Sequence, residues 1–267
     1  MKVLTIGAGN MGTTYALSIS KSSVLNGQKV QIFDHNEDKI KKLKEEGSFD
    51  AFYNLKDCLP EADLIFIAVK PHQSAKLFRQ MRPFINQTQL FISIMAGVSI
   101  KALQHGLQVQ KVIRTMPNLP AQIGLGVTVF TPSKAVSNIE LLLVKNLLMM
   151  TGKTVQVQNE DAIDAATAIS GSGPAYVFYF MQALMEAAES LGFSDKEAHI
   201  LVSSTFEGTI NIFQRSNLSL TEWIKKVTSK GGTTSAAFDS FEKDKIKVAI
   251  KKGVFAAYER AKILGKN

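Results

Sequence analysis

The chain has one cysteine (Cys58), one tryptophan, four histidines and seven prolines in 267 residues. One thiol can form neither an internal disulfide nor a cysteine-rich zinc site. The histidines, His35, His72, His105 and His199, are too scattered to supply the clustered ligands of a catalytic zinc. No run approaches the roughly 18 uninterrupted apolar residues of a membrane span. The longest apolar zone, near Ala175 to Ala188, is broken by Gln182 and Glu186. The N-terminus runs straight into a strand, with no charged n-region or cleavage-site pattern. Repeats and low-complexity tracts are missing as well. These absences lead to the expectation of a soluble cytoplasmic protein with no membrane partner and no metal.

Acidic residues are in the minority, 23 against 31 basic, for a formal charge of +8. A basic excess raises the question of nucleic acid. The lysines are scattered, however, and the densest group, Lys39, Lys41, Lys42 and Lys44, sits beside Glu37, Asp38, Glu45 and Glu46. That is the pattern of a solvated helix face. No nucleic-acid partner is expected; a small anionic ligand suits the same charge.

What is present starts at once. Val3-Leu4-Thr5-Ile6 is a short apolar run, and Gly7-Ala8-Gly9-Asn10-Met11-Gly12 follows as a G-x-G-x-x-G. Thr13 to Val24 contains no glycine or proline and is expected to be helical. Strand, glycine turn and helix in this order form the context of a dinucleotide site. The glycines serve a tight turn, close approach of backbone to pyrophosphate, and helix–strand packing. The helix start supplies free N–H groups and its dipole. The competing reading is a glycine-rich turn with no ligand. Val30 to Phe33 reads as a second strand ending at Asp34, where an acidic residue partners the adenosine ribose hydroxyls.

Further strands are expected at Phe49–Tyr53, Leu64–Val69, Leu90–Ile94, Val112–Ile113, Gly126–Thr131 and Thr154–Val157. Helices are expected between several of them, including Ser133 to Met150. The alternation predicts an α/β fold, a doubly wound, Rossmann-like and mostly parallel sheet. Its ligand rim lies at the carboxyl ends of the strands, after Ile6, Phe33, Val69, Ile94 and Ile113. From about Asp161 no strand remains. Ser194-x-x-Glu197 and Ser219-x-x-Glu222 are capping boxes, and a last helix is expected from Lys245 to Leu264. Residues 1–157 are therefore assigned to a dinucleotide-binding domain and 158–267 to an all-helical domain.

The familiar dehydrogenase acids are missing. Four residues after Tyr176 and Tyr179 stand Phe180 and Ala183, not lysine. His72 reads as an exposed loop residue and Cys58 as a structural thiol. Two polar clusters remain: Ser170-Gly171-Ser172-Gly173-Pro174-Ala175, and Thr228-Ser229-Lys230-Gly231-Gly232-Thr233-Thr234-Ser235. Each is either a flexible helix–helix connector or a helix N-terminus that offers N–H groups to an anion.

The whole chain resembles the pyrroline-5-carboxylate reductases. The matching stretches are Ile6 to Gly12, Ala68-Val69-Lys70-Pro71, Arg114-Thr115-Met116-Pro117-Asn118, Ser170 to Tyr176, and Val227 to Thr234. The resemblance implies reduction of the cyclic imine 1-pyrroline-5-carboxylate to L-proline by NADH or NADPH. It implies a helical domain that interlocks into a homodimer, alone or as a multiple of dimers. It implies that Gly7, Gly9, Asn10, Met11, Gly12, Val69, Lys70, Pro71, Met116, Pro117 and Asn118 hold the cofactor. Ser229, Gly231, Gly232, Thr233 and Thr234 would hold the substrate: Gly232 and Thr233 through N–H groups to its carboxylate, Thr234 through its hydroxyl to the ring nitrogen as the catalytic contact. Two positions depart from the family pattern. Lys230 replaces the usual proline, and Asp34 stands where many members have small or basic residues. Asp34 gives a modest lean to NADH, against the NADPH preference of many members. Rival readings are a reductase of another small imine, a β-hydroxyacid dehydrogenase and a non-catalytic dinucleotide sensor. No lysine stands between Pro174 and Leu191, which argues against the hydroxyacid type, and the intact Gly-Gly-Thr-Thr argues against the sensor.

Overall fold

The computed structural model describes residues 1–264. Strand and helix alternate as the apolar runs and caps dictate: β1 (Val3–Ile6), α1 (Asn10–Ile19), β2 (Gln31–Phe33), α2 (Glu37–Glu46), β3 (Asp50–Phe52), β4 (Leu64–Ile67), α3 (Ser74–Met81), β5 (Leu90–Ser93), α4 (Ile100–Leu107) and β6 (Val112–Met116). Then come β7 (Gly126–Pro132), α5 (Asn138–Met149), β8 (Gly152–Gln156) and α6 (Glu160–Ala166). The eight strands form one sheet in the order β3-β2-β1-β4-β5-β6-β7-β8. Every pair is parallel except β6 with β7. The connection 117–125 explains the exception, because a parallel crossover takes about a dozen residues or more. Ile6 pairs with Phe33 on one side and Ile67 on the other. Gly7, Asp34 and Ala68 therefore leave the sheet at one level.

Apolar side chains cover both faces. Tyr15, Ile19, Phe66, Phe130 and Leu147 lie in the core on one side, and Leu4, Ile65, Phe78, Phe91 and Leu103 in that on the other. Two helices differ from their expected bounds. α1 starts at Asn10 because Thr13 N–H bonds the Gly9 carbonyl at 2.9 Å, so Gly12 lies inside its first turn. It stops at Ile19, where serine hydroxyls compete for the backbone: Ser20 Oγ donates to Leu17 O and Ser22 Oγ accepts from Val24 N–H. α5 starts at Asn138, not near Ser133, because Ser137 and Glu140 form a reciprocal capping box.

The described residues divide into two compact units, Met1–Ser172 with the segment 257–264, and Gly173–Ala256. Helix α6 packs with the sheet, on β6 and β7, and the turn that follows it, Thr167–Gly171, is π-helical. Ser170 Oγ donates to Ala166 O and Ser172 N–H to Thr167 O. The first polar cluster is thus a wound turn and not a loose connector.

The second unit consists of α7 (Gly173–Ser190), α8 (Asp195–Gln214), α9 (Leu220–Val227), α10 (Thr233–Lys243) and the start of α11 (Ile246–Leu264). The Ser194/Glu197 and Ser219/Glu222 capping boxes form as the spacing predicts, with both reciprocal bonds. Among its described residues only Ala198 and Val202 are buried, while Phe178, Tyr179, Ile200, Leu201, Ile210 and Phe213 stand exposed. A unit this apolar outside and this empty inside lacks a core of its own. No described helix is long and apolar enough to cross a membrane.

Candidate active site

In the sheet unit the candidate site is built on the turn between β1 and α1. Gly7 has φ +103, which favours glycine, and its N–H bonds the Phe33 carbonyl at 2.7 Å. A Cβ on Gly12 would stand 1.9 Å from the Gly7 carbonyl oxygen and 3.1 Å from Ala68 Cβ, so Gly12 lets helix and strand meet. Gly9 differs: its φ of −87 suits any residue and a Cβ there would meet no protein atom within 4 Å. The space before Gly9 is what a dinucleotide pyrophosphate requires. Gly9 caps α1 without a side chain, so the N–H groups of Asn10, Met11 and Gly12 have no intrahelical partner. Met11 packs its side chain against the core.

Beside this turn lies a cavity of about 460 Å³ lined by Gly7, Gly9, Asp34, Lys39, Val69, Lys70 and His72, among others. Its size falls in the usual range for small-ligand sites. Asp34 is 5% exposed. Its Oδ2 accepts the Ala8 N–H at 2.8 Å and its Oδ1 the Asn36 N–H at 2.9 Å. The carboxylate that the sequence assigns to the ribose is therefore also a brace for the glycine turn. His72 is exposed, as read, in the short turn Pro71–Gln73, and it lines the cavity.

The other rim residues divide. Val69 and Lys70 reach the cavity; Pro71 opens the short turn into α3 and lines a neighbouring groove. Met116 ends β6 and Pro117 and Asn118 follow it at the same edge of the sheet, but the three do not line this cavity. Asn118 Oδ1 accepts the Val127 N–H at 2.8 Å and so starts β7. Met116 fills the place of a side chain on Gly171: a Cβ there would be 2.6 Å from Met116 Cε.

Arg114, quoted in the sequence only as part of a motif, is the residue whose role sequence reasoning missed. Buried at 2% exposure, it pairs through Nη1 with Glu160 Oε1 at 3.0 Å and through Nη2 with Asp164 Oδ1 at 2.5 Å. Glu160 Oε1 also accepts the Ile100 N–H at 2.8 Å. One guanidinium thus ties β6, α6 and the start of α4. An arginine inside an apolar strand was the available signal, since such a charge needs partners. Cys58 is buried, its Sγ near the Asn54 and Leu55 carbonyls, and burial pushes its thiol up to about 12. It is structural, as read. Among the described residues no cluster of three or more His, Cys, Asp or Glu could hold a metal.

The helical unit carries a second candidate turn. Gly232 N–H bonds the Ser229 carbonyl at 3.1 Å, closing a turn with Gly231 at φ +70. A Cβ on Gly232 would be 2.3 Å from Ser229 Oγ. This cluster too is a built turn, and the Gly232 N–H expected to face a carboxylate is committed within it. Gly232 then caps α10 without a side chain, which leaves the N–H groups of Thr233, Thr234 and Ser235 free of intrahelical partners. Helix dipole and free N–H groups favour an anion there.

A mostly parallel sheet with a glycine cradle at its switch edge, in one chain with a helical unit, is the architecture of a dinucleotide-dependent oxidoreductase. The family model of pyrroline-5-carboxylate reductase dimerisation matches residues 160–264, and that of NADP oxidoreductase, coenzyme F420-dependent, residues 2–97. The pyrroline-5-carboxylate reductase of Staphylococcus haemolyticus is 33% identical over 269 residues, covering 100% of this chain and 99% of that one. The chain belongs to the pyrroline-5-carboxylate reductase family. Solved structures agree. The Plasmodium falciparum pyrroline carboxylate reductase with NADP bound has a TM-score of 0.89 at 26% identity, covering 99% of this chain and 98% of that one. A Coxiella burnetii pyrroline-5-carboxylate reductase has 0.88 at 30% identity, covering 100% and 99%.

Proposed function

We propose that the chain reduces 1-pyrroline-5-carboxylate to L-proline with NADH or NADPH. The observation that carries this reading is the Ser229–Gly232 turn and the free N–H groups at the start of α10, in a chain one-third identical from end to end to a named reductase. When bound, the reduced nicotinamide supplies the hydride that the C=N carbon needs. The protein's share is orientation and charge complementarity.

Thr233, Thr234 and Ser235 offer N–H groups to the substrate carboxylate. Ser229, Gly231 and Gly232 shape the turn that aims them. The Thr234 hydroxyl meets the ring nitrogen. A protonated imine is already electrophilic, so no strong acid is asked of the protein. In the sheet unit, Gly7, Gly9, Asn10, Met11 and Gly12 receive the pyrophosphate and Asp34 the ribose. Val69, Lys70, Pro71, Met116, Pro117 and Asn118 complete the rim. Asp34 sets a lean to NADH on the order of tenfold, about 1.4 kcal/mol.

Residues 158–267 serve as dimerisation and substrate domain to residues 1–157, in a cytoplasmic homodimer or a multiple of it. The exposed apolar helices support this arrangement, since interlocked dimers seldom have a stable folded monomer. The test is purified protein with 1-pyrroline-5-carboxylate and each cofactor, following loss of reduced-nicotinamide absorbance and appearance of L-proline. No turnover with either cofactor overturns the reading.

A further inference from the structure

Both oxygens of Asp34 accept a backbone N–H, which holds its charge in place without cancelling it. Two basic side chains stand against that charge. His35 Nδ1 lies 3.3 Å from Asp34 Oδ1, and Lys39 Nζ lies 3.7 Å from Oδ2. An imidazole is charged only when protonated, so Lys39 is the standing cation of the two. Its backbone is fixed, its N–H bonding the Asn36 side chain at 3.0 Å in the first turn of α2. Its side chain is half exposed, and at 3.7 Å the ammonium is paired with the carboxylate without spending a hydrogen bond on it. All three of its donors stay available. Lys39 lines the same cavity as Gly7, Gly9 and Asp34, beside the place where the second strand presents its carboxylate to a ribose.

We propose that Lys39 is the residue that lets this cavity accept a 2′-phosphate on the adenosine ribose. The inference rests on the reading of the cavity as a dinucleotide site and adds to it the side chain that sets cofactor choice. With a free 2′-hydroxyl, Asp34 accepts from the ribose and Lys39 remains its counter-ion. With a 2′-phosphate, the Lys39 ammonium turns from Asp34 to the phosphate oxygens, and the N-terminus of α2 adds its positive end. The phosphate then meets a cation where Asp34 alone would repel it. The chain is thereby able to use both cofactors although an acid ends its second strand. Lys76 also lines the cavity but, among the described residues, makes no ion pair with Asp34.

The experiment is calorimetric titration of wild type, Lys39→Ala, Lys39→Arg and Lys76→Ala with 2′,5′-ADP, 5′-AMP, NADPH and NADH, without substrate. Thermal melts check that each variant is folded. Lys39→Ala should weaken 2′,5′-ADP and NADPH by about ten- to a hundredfold, the range of a hydrogen bond to a charged group. It should leave 5′-AMP and NADH within about threefold, under 1 kcal/mol, because neither carries a 2′-phosphate. Lys39→Arg should retain the 2′-phosphate, and Lys76→Ala should not change the ratio. Equal weakening of both classes, or no change in the ratio, overturns the assignment while leaving the cavity a dinucleotide site. Failure of wild type to bind any of the four nucleotides overturns the cavity reading and this inference with it.

Discussion

Asp34 Oδ2 accepts the backbone N–H of Ala8 at 2.8 Å, joining the end of β2 to the middle of the glycine turn. The carboxylate therefore shapes the cradle before any ligand arrives. Asp34→Ala leaves the Ala8 and Asn36 N–H groups without their acceptor and should cost about 2 kcal/mol of stability, within the range for hydrogen bonds to charged groups. Urea unfolding measures the loss. Affinity for NADH and NADPH should both fall, since the turn that seats either one is loosened. A variant as stable as wild type would remove the brace.

Gly9 and Gly12 should separate binding from folding. Gly9→Ala adds a methyl group to open space and should fold normally while binding dinucleotide at least tenfold more weakly. Gly12→Ala forces a methyl group against the Gly7 carbonyl and should destabilise by about 2–3 kcal/mol, as overpacked sites do. Denaturant midpoints and nucleotide titrations read the two effects. Unchanged binding in Gly9→Ala would move the pyrophosphate elsewhere.

Lys230 is the second residue of the turn closed by Gly232 N–H on Ser229 O, with Gly231 in the left-handed region. That is the arrangement of a type II turn, which favours proline at the Lys230 position. Lys230→Pro should stabilise the protein by about 0.5–1 kcal/mol by restricting the unfolded chain. A fall in melting temperature would show that the turn has another geometry.

Thr234→Ala should lower kcat/KM for the imine by about ten- to a hundredfold, the loss of roughly 1.5–3 kcal/mol for a hydrogen bond to a charged group. Cofactor affinity should stay as it is. Steady-state kinetics with a parallel nucleotide titration makes the comparison, and an unaltered kcat/KM would take Thr234 out of the site.

Arg114→Met leaves Glu160 and Asp164 without their cation. It should cost about 3 kcal/mol, the lower end for a broken buried pair, because both carboxylates keep some exposure. Adding Glu160→Gln and Asp164→Asn should restore at least half of that loss. If the triple variant is no more stable than Arg114→Met, the cost lies in packing and not in charge.

The sequence by itself determined whatever depends on neighbours along the chain. A glycine at φ +103, a capping box from Ser194 to Glu197 and an apolar run covered on both faces are demands of local backbone geometry, so Gly7, Ser194 with Glu197, and β4 could be read directly. Tertiary structure decided what depends on register and packing. Arg114 finds its acids 46 and 50 positions away, where only the placing of α6 on β6 brings them. The antiparallel course of β7 follows from a short connection and its pairing with Met116. Asp34 turns to Ala8 because β1 and β2 end at one level. The Gly232 N–H was spent inside its own turn, which a string of turn-forming residues does not disclose. Residue type sets which bonds a group is able to make; the folded backbone sets which partner stands within 3 Å of it, the reach of a hydrogen bond being about that distance.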